Sequence, residues 1–257
     1  MKEFSLIWAI NDGWTIFCRN LKHIFRNPES LIVSMALPII LMLLFVYVFG
    51  GAIQTSSDYV NYVVPGIIIT CVGYGSATTA IGVTQDMKGG FFERLRSMPV
   101  HASALLVGHV AGSFVRNMIS TILVIFVAWL IGFRPNASLI EWIGVIGMLS
   151  LFLLSLSWMA VLFGLLAKNA ETASAFTFLP MFLPYVSSAF VPANTMPSWL
   201  QAFSENQPMT PFIETLRGML IGTPIGNNDW LAIIWFGGLL IAAFIMAMFV
   251  FKKKFLH

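Results

Sequence analysis

Four histidines, two cysteines and the glycine pair Gly89-Gly90 are the residues of this 257-residue chain from which a reaction site would be built. Their spacing excludes the familiar reactions. A nucleotide hydrolase cradles phosphate on the backbone amides of a G-x-x-x-x-G-K-[ST] loop, and here Gly89-Gly90 runs into Phe91 instead. His23, His101, His109 and His257 form no H-E-x-x-H pair, and no serine occupies G-x-S-x-G. Cys18 and Cys71 have neither zinc spacing nor a disulfide framework around them. The chain therefore reads as non-enzymatic, with no cofactor or metal of its own.

Two charged features remain. The stretch Asp86-Met87-Lys88-Gly89-Gly90-Phe91-Phe92-Glu93-Arg94-Leu95-Arg96-Ser97-Met98-Pro99 combines a glycine pair, alternating charges and a closing proline. It reads either as a rigid knob or as an ordinary solvated loop rich in positive charge. Arg116 is the one basic residue well inside an apolar run. A charge at such depth snorkels, is paired or faces water; the expectation is a snorkelling side chain that reaches the nearer interface, with substrate binding as the other reading.

The elements that must position these residues follow from composition. Hydrophobic residues make up 58% and charged residues 10%, and the mean hydropathy is +0.85, whereas soluble domains carry roughly a quarter charged residues. No charge lies between Glu29 and Asp58 or between Asp58 and Asp86. Each gap exceeds the roughly 20 residues that a helix needs to cross a bilayer. The fold expected over 1–257 is an all-α integral membrane protein of a single domain. Its six transmembrane helices fall at 30–53, 59–85, 102–133, 139–167, 172–191 and 230–251, the fifth kinked at Pro180 and Pro184. Gly108 and Gly112 form a G-x-x-x-G in the third, which permits close helix approach.

Ahead of them, 4–27 places Ile7, Ile10, Trp14, Phe17, Leu21 and Ile24 on one stripe and Arg19, Lys22 and Arg26 on the polar face. This is the pattern of an amphipathic helix on the membrane surface, and it lacks a cleavable signal. Lys2, Arg19, Lys22, Arg26, Lys88, Arg94, Arg96, Lys168 and the Lys252–Lys254 tail fall on one side of a six-span layout, while Arg134 and Arg217 fall on the other. Both termini are then cytoplasmic. The segment 192–229 holds apolar stretches too short to cross, interrupted by Pro197, Pro208, Pro211 and Pro224. It is expected to form short helices at the outer face, dipping inward as a re-entrant hairpin.

Leu179-Pro180, Ser187-Ser188-Ala189-Phe190-Val191-Pro192, Met196-Pro197-Ser198-Trp199-Leu200-Gln201, Asn206-Gln207-Pro208-Met209-Thr210-Pro211 and Arg217-Gly218 follow one another in the order of a known C-terminal signature. The chain resembles the type-2 ABC exporter permeases along essentially its whole length, and within them the bacterial daunorubicin or multidrug-resistance branch. Glu93-Arg94-Leu95 and Pro99 match the family's E-R-L and following proline, while Gly89-Gly90-Phe91-Phe92 departs from its charged, single-glycine pattern.

The resemblance implies a permease subunit in a bacterial inner membrane, a homodimer with a second permease copy, and two cytoplasmic ATPase subunits that bind ATP and magnesium. Met87, Lys88, Glu93, Arg94, Leu95 and Arg96 in the coupling loop 86–101 would dock the ATPases, together with Arg19, Lys22 and Arg26 of the interface helix. Pro192, Met196, Pro197, Trp199, Pro208, Pro211 and Arg217 would form the gating, re-entrant segment. The expected cargo is an amphipathic or lipid-like molecule, with membrane lipids as further partners and no nucleic acid. Export of a lipid-linked polysaccharide stays open, as does a non-transporting scaffold. An ion-coupled carrier would show intramembrane carboxylates and two related halves, and the sequence has neither.

Overall fold

In a medium without water every backbone amide and carbonyl must find its partner inside the protein, and a long apolar run meets that demand as a helix. The computed structural model describes residue 18 and residues 28–53, 58–89 and 102–256. Apart from Cys18, the interface helix expected at 4–27 lies outside the described residues, as does the coupling loop from Gly90 onward.

Helix α1, Pro28–Leu43, opens on a proline and passes into a wider π-helical stretch, Leu44–Phe49. A proline suits a first turn, because its missing N–H would have no intrahelical partner there. Helices α2 (Tyr59–Lys88), α3 (Ala102–Leu130) and α4 (Leu139–Leu166) follow. A capping box starts α4: Ser138 Oγ accepts from the Glu141 amide at 3.4 Å, and the Glu141 carboxylate accepts from the Ser138 amide at 2.6 Å.

Beyond α4 the helices shorten. The chain passes through α5 (Ala170–Ser174), a 3-10 turn (Ala175–Thr177), α6 (Phe178–Phe182) and a second 3-10 turn (Leu183–Val186). A further turn, Ala193–Thr195, leads to α7 (Ser198–Asn206), α8 (Met209–Ile221) and α9 (Asn228–Leu256).

This is a multi-pass membrane protein. Among the described residues, the helices over Tyr59–Lys88, Leu105–Leu130, Leu139–Leu166 and Asn228–Lys254 are long and apolar enough to cross a membrane, and Met35–Phe49 is a shorter apolar helix. Six continuous spans are not what these helices show. The kinked helix expected at 172–191 is instead a string of single turns. Pro180 and Pro184 stand four residues apart, each without a donor and each with a ring that crowds the carbonyl one turn back, so neither turn can propagate into the next.

The broken segment nevertheless follows α2 along most of its length. Ala173 packs beside Ala80, the Pro180 carbonyl lies over Gly73, and Ala189 lies over Gly66. Helix α2 is consequently buried almost all round, with Val63, Val64, Ile67, Ile68 and Val72 fully covered. A smaller apolar cluster of Val83, Leu105, Leu106, Val161, Leu165 and Ala247 ties α2, α3, α4 and α9 together at the opposite end.

The long helices alternate in direction. At one end the Arg134 amide donates to Asn61 Oδ1 at 3.0 Å and the Asn136 amide to the Leu220 carbonyl at 2.9 Å, joining the α3–α4 connection to α2 and α8. At the other end Thr84 Oγ1 donates to the Gly164 carbonyl at 2.9 Å, and Lys254 Nζ donates to the Leu165 carbonyl. These are called the hairpin end and the lysine end below.

The closest packing predicts a sharp asymmetry between two glycines. A Cβ on Gly66 would sit 2.6 Å from Ala189 Cβ and 3.0 Å from its Cα, whereas nothing lies within 4 Å of one on Gly51. Gly66→Ala is expected to destabilise the purified chain by about 1–3 kcal/mol through overpacking. Gly51→Ala should leave it within about 0.5 kcal/mol. Thermal unfolding in detergent, followed by tryptophan fluorescence, makes the comparison.

Candidate functional site

A chain that leaves helical geometry inside an apolar protein exposes carbonyls that no i+4 amide can reach, and each needs a donor from elsewhere. The stretch 183–190 is such a place. Gln207 Nε2 donates to the Leu183 carbonyl at 3.3 Å and to the Val186 carbonyl at 3.0 Å. The Ser188 carbonyl accepts from Tyr62 Oη at 2.9 Å and from Arg217 Nη2 at 2.8 Å, and the Phe190 carbonyl accepts from Tyr59 Oη at 2.9 Å. Four side chains from α2, α8 and the turn before α8 thus supply the donors that the broken helix cannot.

Arg217 is the centre of this arrangement. Only 2% of it is exposed. Its Nε and Nη2 both donate to the Tyr62 carbonyl, at 3.3 and 3.1 Å, and Nη1 meets Glu214 Oε1 at 2.5 Å. The guanidinium carbon stands 3.7 Å from the centroid of the Tyr62 ring, a cation–π contact. Sequence counting placed Arg217 on the same side as Arg134; the structure buries it within the protein, with Glu214 one turn earlier on α8 balancing its charge.

The helical pair α7–α8 turns at Gln207-Pro208. Thr210 Oγ1 donates to the Ser204 carbonyl at 2.6 Å and accepts from the Ser188 amide at 3.4 Å, which pins the turn to the broken segment. Gly222, at φ +77°, ends α8 in the left-handed geometry that glycine adopts without a side-chain clash. The apolar face of α8 is fixed by three rings: Phe152 of α4, Phe212 of α8 and Phe236 of α9 have centroids 4.7, 4.9 and 5.1 Å apart. Below them an apolar cleft of about 150 Å³ opens between α4, the broken segment and α9, lined by Met159, Phe176, Pro180, Pro208, Trp235 and Leu239.

The seven residues expected to gate this region divide into two groups. Pro211 and Arg217 are buried in α8, and Pro208 lines the cleft. Pro197 and Trp199 are exposed on the α7 side, with Pro192 and Met196 part-covered. Sequence reading named none of Tyr59, Tyr62, Gln207 and Glu214 as a site residue. An acid three residues before Arg217 on one helix was a readable signal.

At the lysine end, Asp86 Oδ2 lies 3.0 Å from His109 Nε2, joining the last turn of α2 to α3. Of the expected ATPase-docking residues, Met87 packs against the lower core and Lys88 is exposed. Glu93, Arg94, Leu95 and Arg96 lie outside the described residues, as do Arg19, Lys22 and Arg26. No three His, Cys, Asp or Glu side chains converge as metal ligands among the described residues.

Arg116 does not snorkel. It stands midway between Ala102 and Leu130 on α3, and its Nη2 donates sideways to the Gly75 carbonyl at 3.0 Å and to Thr79 Oγ1 at 2.9 Å on α2. Two acceptors on the neighbouring helix hold the guanidinium across the α2–α3 contact. Gly75 makes the approach feasible, because a Cβ there would overlap the Asn117 amide.

With the geometry in place, the likeness to known proteins can be stated. The family described as ABC-2 type transporter matches residues 12–221. The daunorubicin resistance ABC transporter permease protein DrrB1 of Streptomyces coeruleorubidus is 28% identical, over 95% of this chain and 89% of its own length. The probable doxorubicin resistance ABC transporter permease protein DrrC of Mycobacterium tuberculosis is 23% identical, over 90% and 85%. The putative transport permease ycf38 of Cyanophora paradoxa is 27% identical, over 80% and 71%.

The lock around Arg217 predicts graded losses. Arg217→Lys keeps a charge for Glu214 but loses the planar fork and the ring stacking, and it is expected to destabilise the chain by about 2 kcal/mol or more. Tyr59→Phe, which removes one hydroxyl donor, should cost about 1 kcal/mol. Thermal unfolding combined with limited proteolysis of the α7 region reads both.

Proposed function

Because the chain belongs to the ABC-2 type transporter family, we infer that it is the membrane half of an ATP-driven exporter whose cargo is an amphipathic or lipid-like molecule. The permease subunit is the family's role, and an ATP-binding cassette subunit is its partner. Two relatives are named for daunorubicin or doxorubicin resistance, and that supports an amphipathic cargo without fixing the sign of its charge. The apolar cleft beside the α7–α8 turn, with Met, Phe, Trp and Leu on its walls, supports the same chemistry.

The assembly we propose is a homodimer of this chain with two ATPases, the lysine end in the cytoplasm and the α7–α8 hairpin as an outer, re-entrant cap. The broken segment following α2 is its fifth crossing, and α1 its first. Lys88, Lys168 and the terminal lysines at one end support that orientation. The ATPases dock on Met87, Lys88, Glu93, Arg94, Leu95 and Arg96 and on the interface helix that carries Arg19, Lys22 and Arg26.

The observation that carries the mechanism is the Asp86–His109 contact at the root of the coupling loop. ATP-driven closure of the ATPases pushes on a loop whose first residues are fixed to α3, so the push moves α2 and α3 as one lever. Packed helices shift between discrete arrangements rather than bending continuously. Helix α2 in turn carries the carbonyls and hydroxyls that hold the hairpin cap, which links the cytoplasmic push to the outer gate.

Co-expression with a candidate ABC ATPase from the same genome should yield a stable complex that hydrolyses ATP in lipid. Reversing Glu93 and Arg94 together, Glu93→Lys with Arg94→Glu, is expected to lower complex recovery and turnover by about tenfold, the weight of about 1.4 kcal/mol of docking energy. Unchanged association and turnover would remove the coupling loop from the docking surface, and a chain that recruits no ATPase would end the exporter reading.

A further inference from the structure

Helix α3 carries Ser113, Arg116, Asn117, Ser120 and Thr121 at spacings of three and four, one continuous polar face at mid-helix. The four uncharged members are all but inaccessible, at 1–2% exposure. Part of their hydrogen-bonding capacity is met. Asn117 Nδ2 donates to the Ser113 carbonyl at 2.9 Å, and Ser157 Oγ of α4 donates to Ser113 Oγ at 3.0 Å. Part is not: Arg116 Nε, Asn117 Oδ1, Ser120 Oγ and Thr121 Oγ1 are buried with no partner among the described residues.

A guanidinium offers five N–H donors in a fixed plane. The bonds to Gly75 and Thr79 both leave from Nη2, and among the described residues Nε and Nη1 donate to no protein group. Among the described residues its charge has no acidic partner either. The ion pairs among the described residues are Asp86–His109 and Glu214–Arg217, and no Asp or Glu occurs at 59–85 or 102–140. An arginine at the centre of a spanning helix is expensive unless it is paired or hydrated. Here it is half-buried, held on one side by the Gly75 carbonyl and Thr79, with donors left over for a further acceptor.

We propose that Arg116 receives the acidic group, a carboxylate or a phosphate, of the amphiphile that passes through this permease. The proposal rests on the transport reading above and deepens it by naming a substrate class. Carboxylates and phosphates accept two N–H bonds from one guanidinium. The headgroups of resident lipids lie about 15 Å from the bilayer centre, half of a roughly 30 Å core. A molecule in transit brings an anion to this depth, whereas a resident lipid does not. The same charge repels a cationic amphiphile, so the site selects by sign.

The test uses the full chain in phosphatidylcholine nanodiscs without the ATPase, so its outcome is independent of whether the exporter assembles. A diazirine analogue of palmitate is photo-crosslinked at a pH that keeps the carboxylate ionised, and labelled peptides from α2 and α3 are quantified by mass spectrometry. Unlabelled palmitate is expected to abolish the labelling, and hexadecyltrimethylammonium of equal chain length to leave it. Arg116→Gln should reduce it about tenfold, while Arg116→Lys, which keeps the charge, retains more of it.

Equal competition by the quaternary ammonium overturns the proposal, and this arm needs only the wild-type chain if Arg116→Gln does not fold. Wild-type labelling of a folded Arg116→Gln also overturns it and leaves Arg116 as a fastener between α2 and α3. Full displacement by phosphatidylglycerol in the disc assigns the anion site to a lipid headgroup and overturns its role in transport.

Discussion

Backbone carbonyls without amide partners are the constraint on which the outer half of this protein depends. Once Pro180 and Pro184 break the helix that would otherwise run beside α2, the carbonyls of Leu183, Val186, Ser188 and Phe190 have to be met by side chains. Gln207, Tyr62, Arg217 and Tyr59 meet them. Those donors come from three separate parts of the chain, so satisfying the broken segment also fixes where the hairpin sits. A guanidinium suits this task better than an amine, since its plane spans two carbonyls and a ring face at once.

The rest of the packing follows from the same break. A continuous helix beside α2 would stand off at ordinary interhelical distance, about 8–10 Å, whereas the irregular segment lets Ala189 settle directly onto Gly66. Helix α2 gains cover on a face rich in small residues, and α8 is drawn down until Phe212 meets Phe152 and Phe236. The cap is therefore part of the core rather than an appendage. Motion transmitted along α2 reaches it through hydrogen bonds and close contact, with no flexible linker between.

Hydropathy made α2, α3, α4 and α9 legible, because absence of charge over about twenty residues leaves a helix little alternative. It was less informative where proline competes with apolarity. The run at 172–191 is as hydrophobic as a span, yet two prolines four residues apart decide its backbone. Charge counting was silent, too, on which arginine the protein buries. Charge counting treats Arg134 and Arg217 alike, but Glu214 and the Tyr62 carbonyl take Arg217 inside, while Arg134 remains near the surface on the Trp129 carbonyl and ring. Arg116 was seen as unusual from sequence alone. Its partners on α2, forty positions earlier in the chain, follow from tertiary packing that no periodicity encodes.

The ring contact among Phe152, Phe212 and Phe236 also bears on the order in which the molecule is made. Its third member belongs to α9, which leaves the ribosome after the hairpin. Until that helix inserts, the apolar face of α8 lacks a neighbour, and the hairpin that α8 carries is anchored on one side only. Closure of the outer cap is thus a late event in biogenesis, timed by the arrival of α9 rather than by synthesis of the hairpin itself.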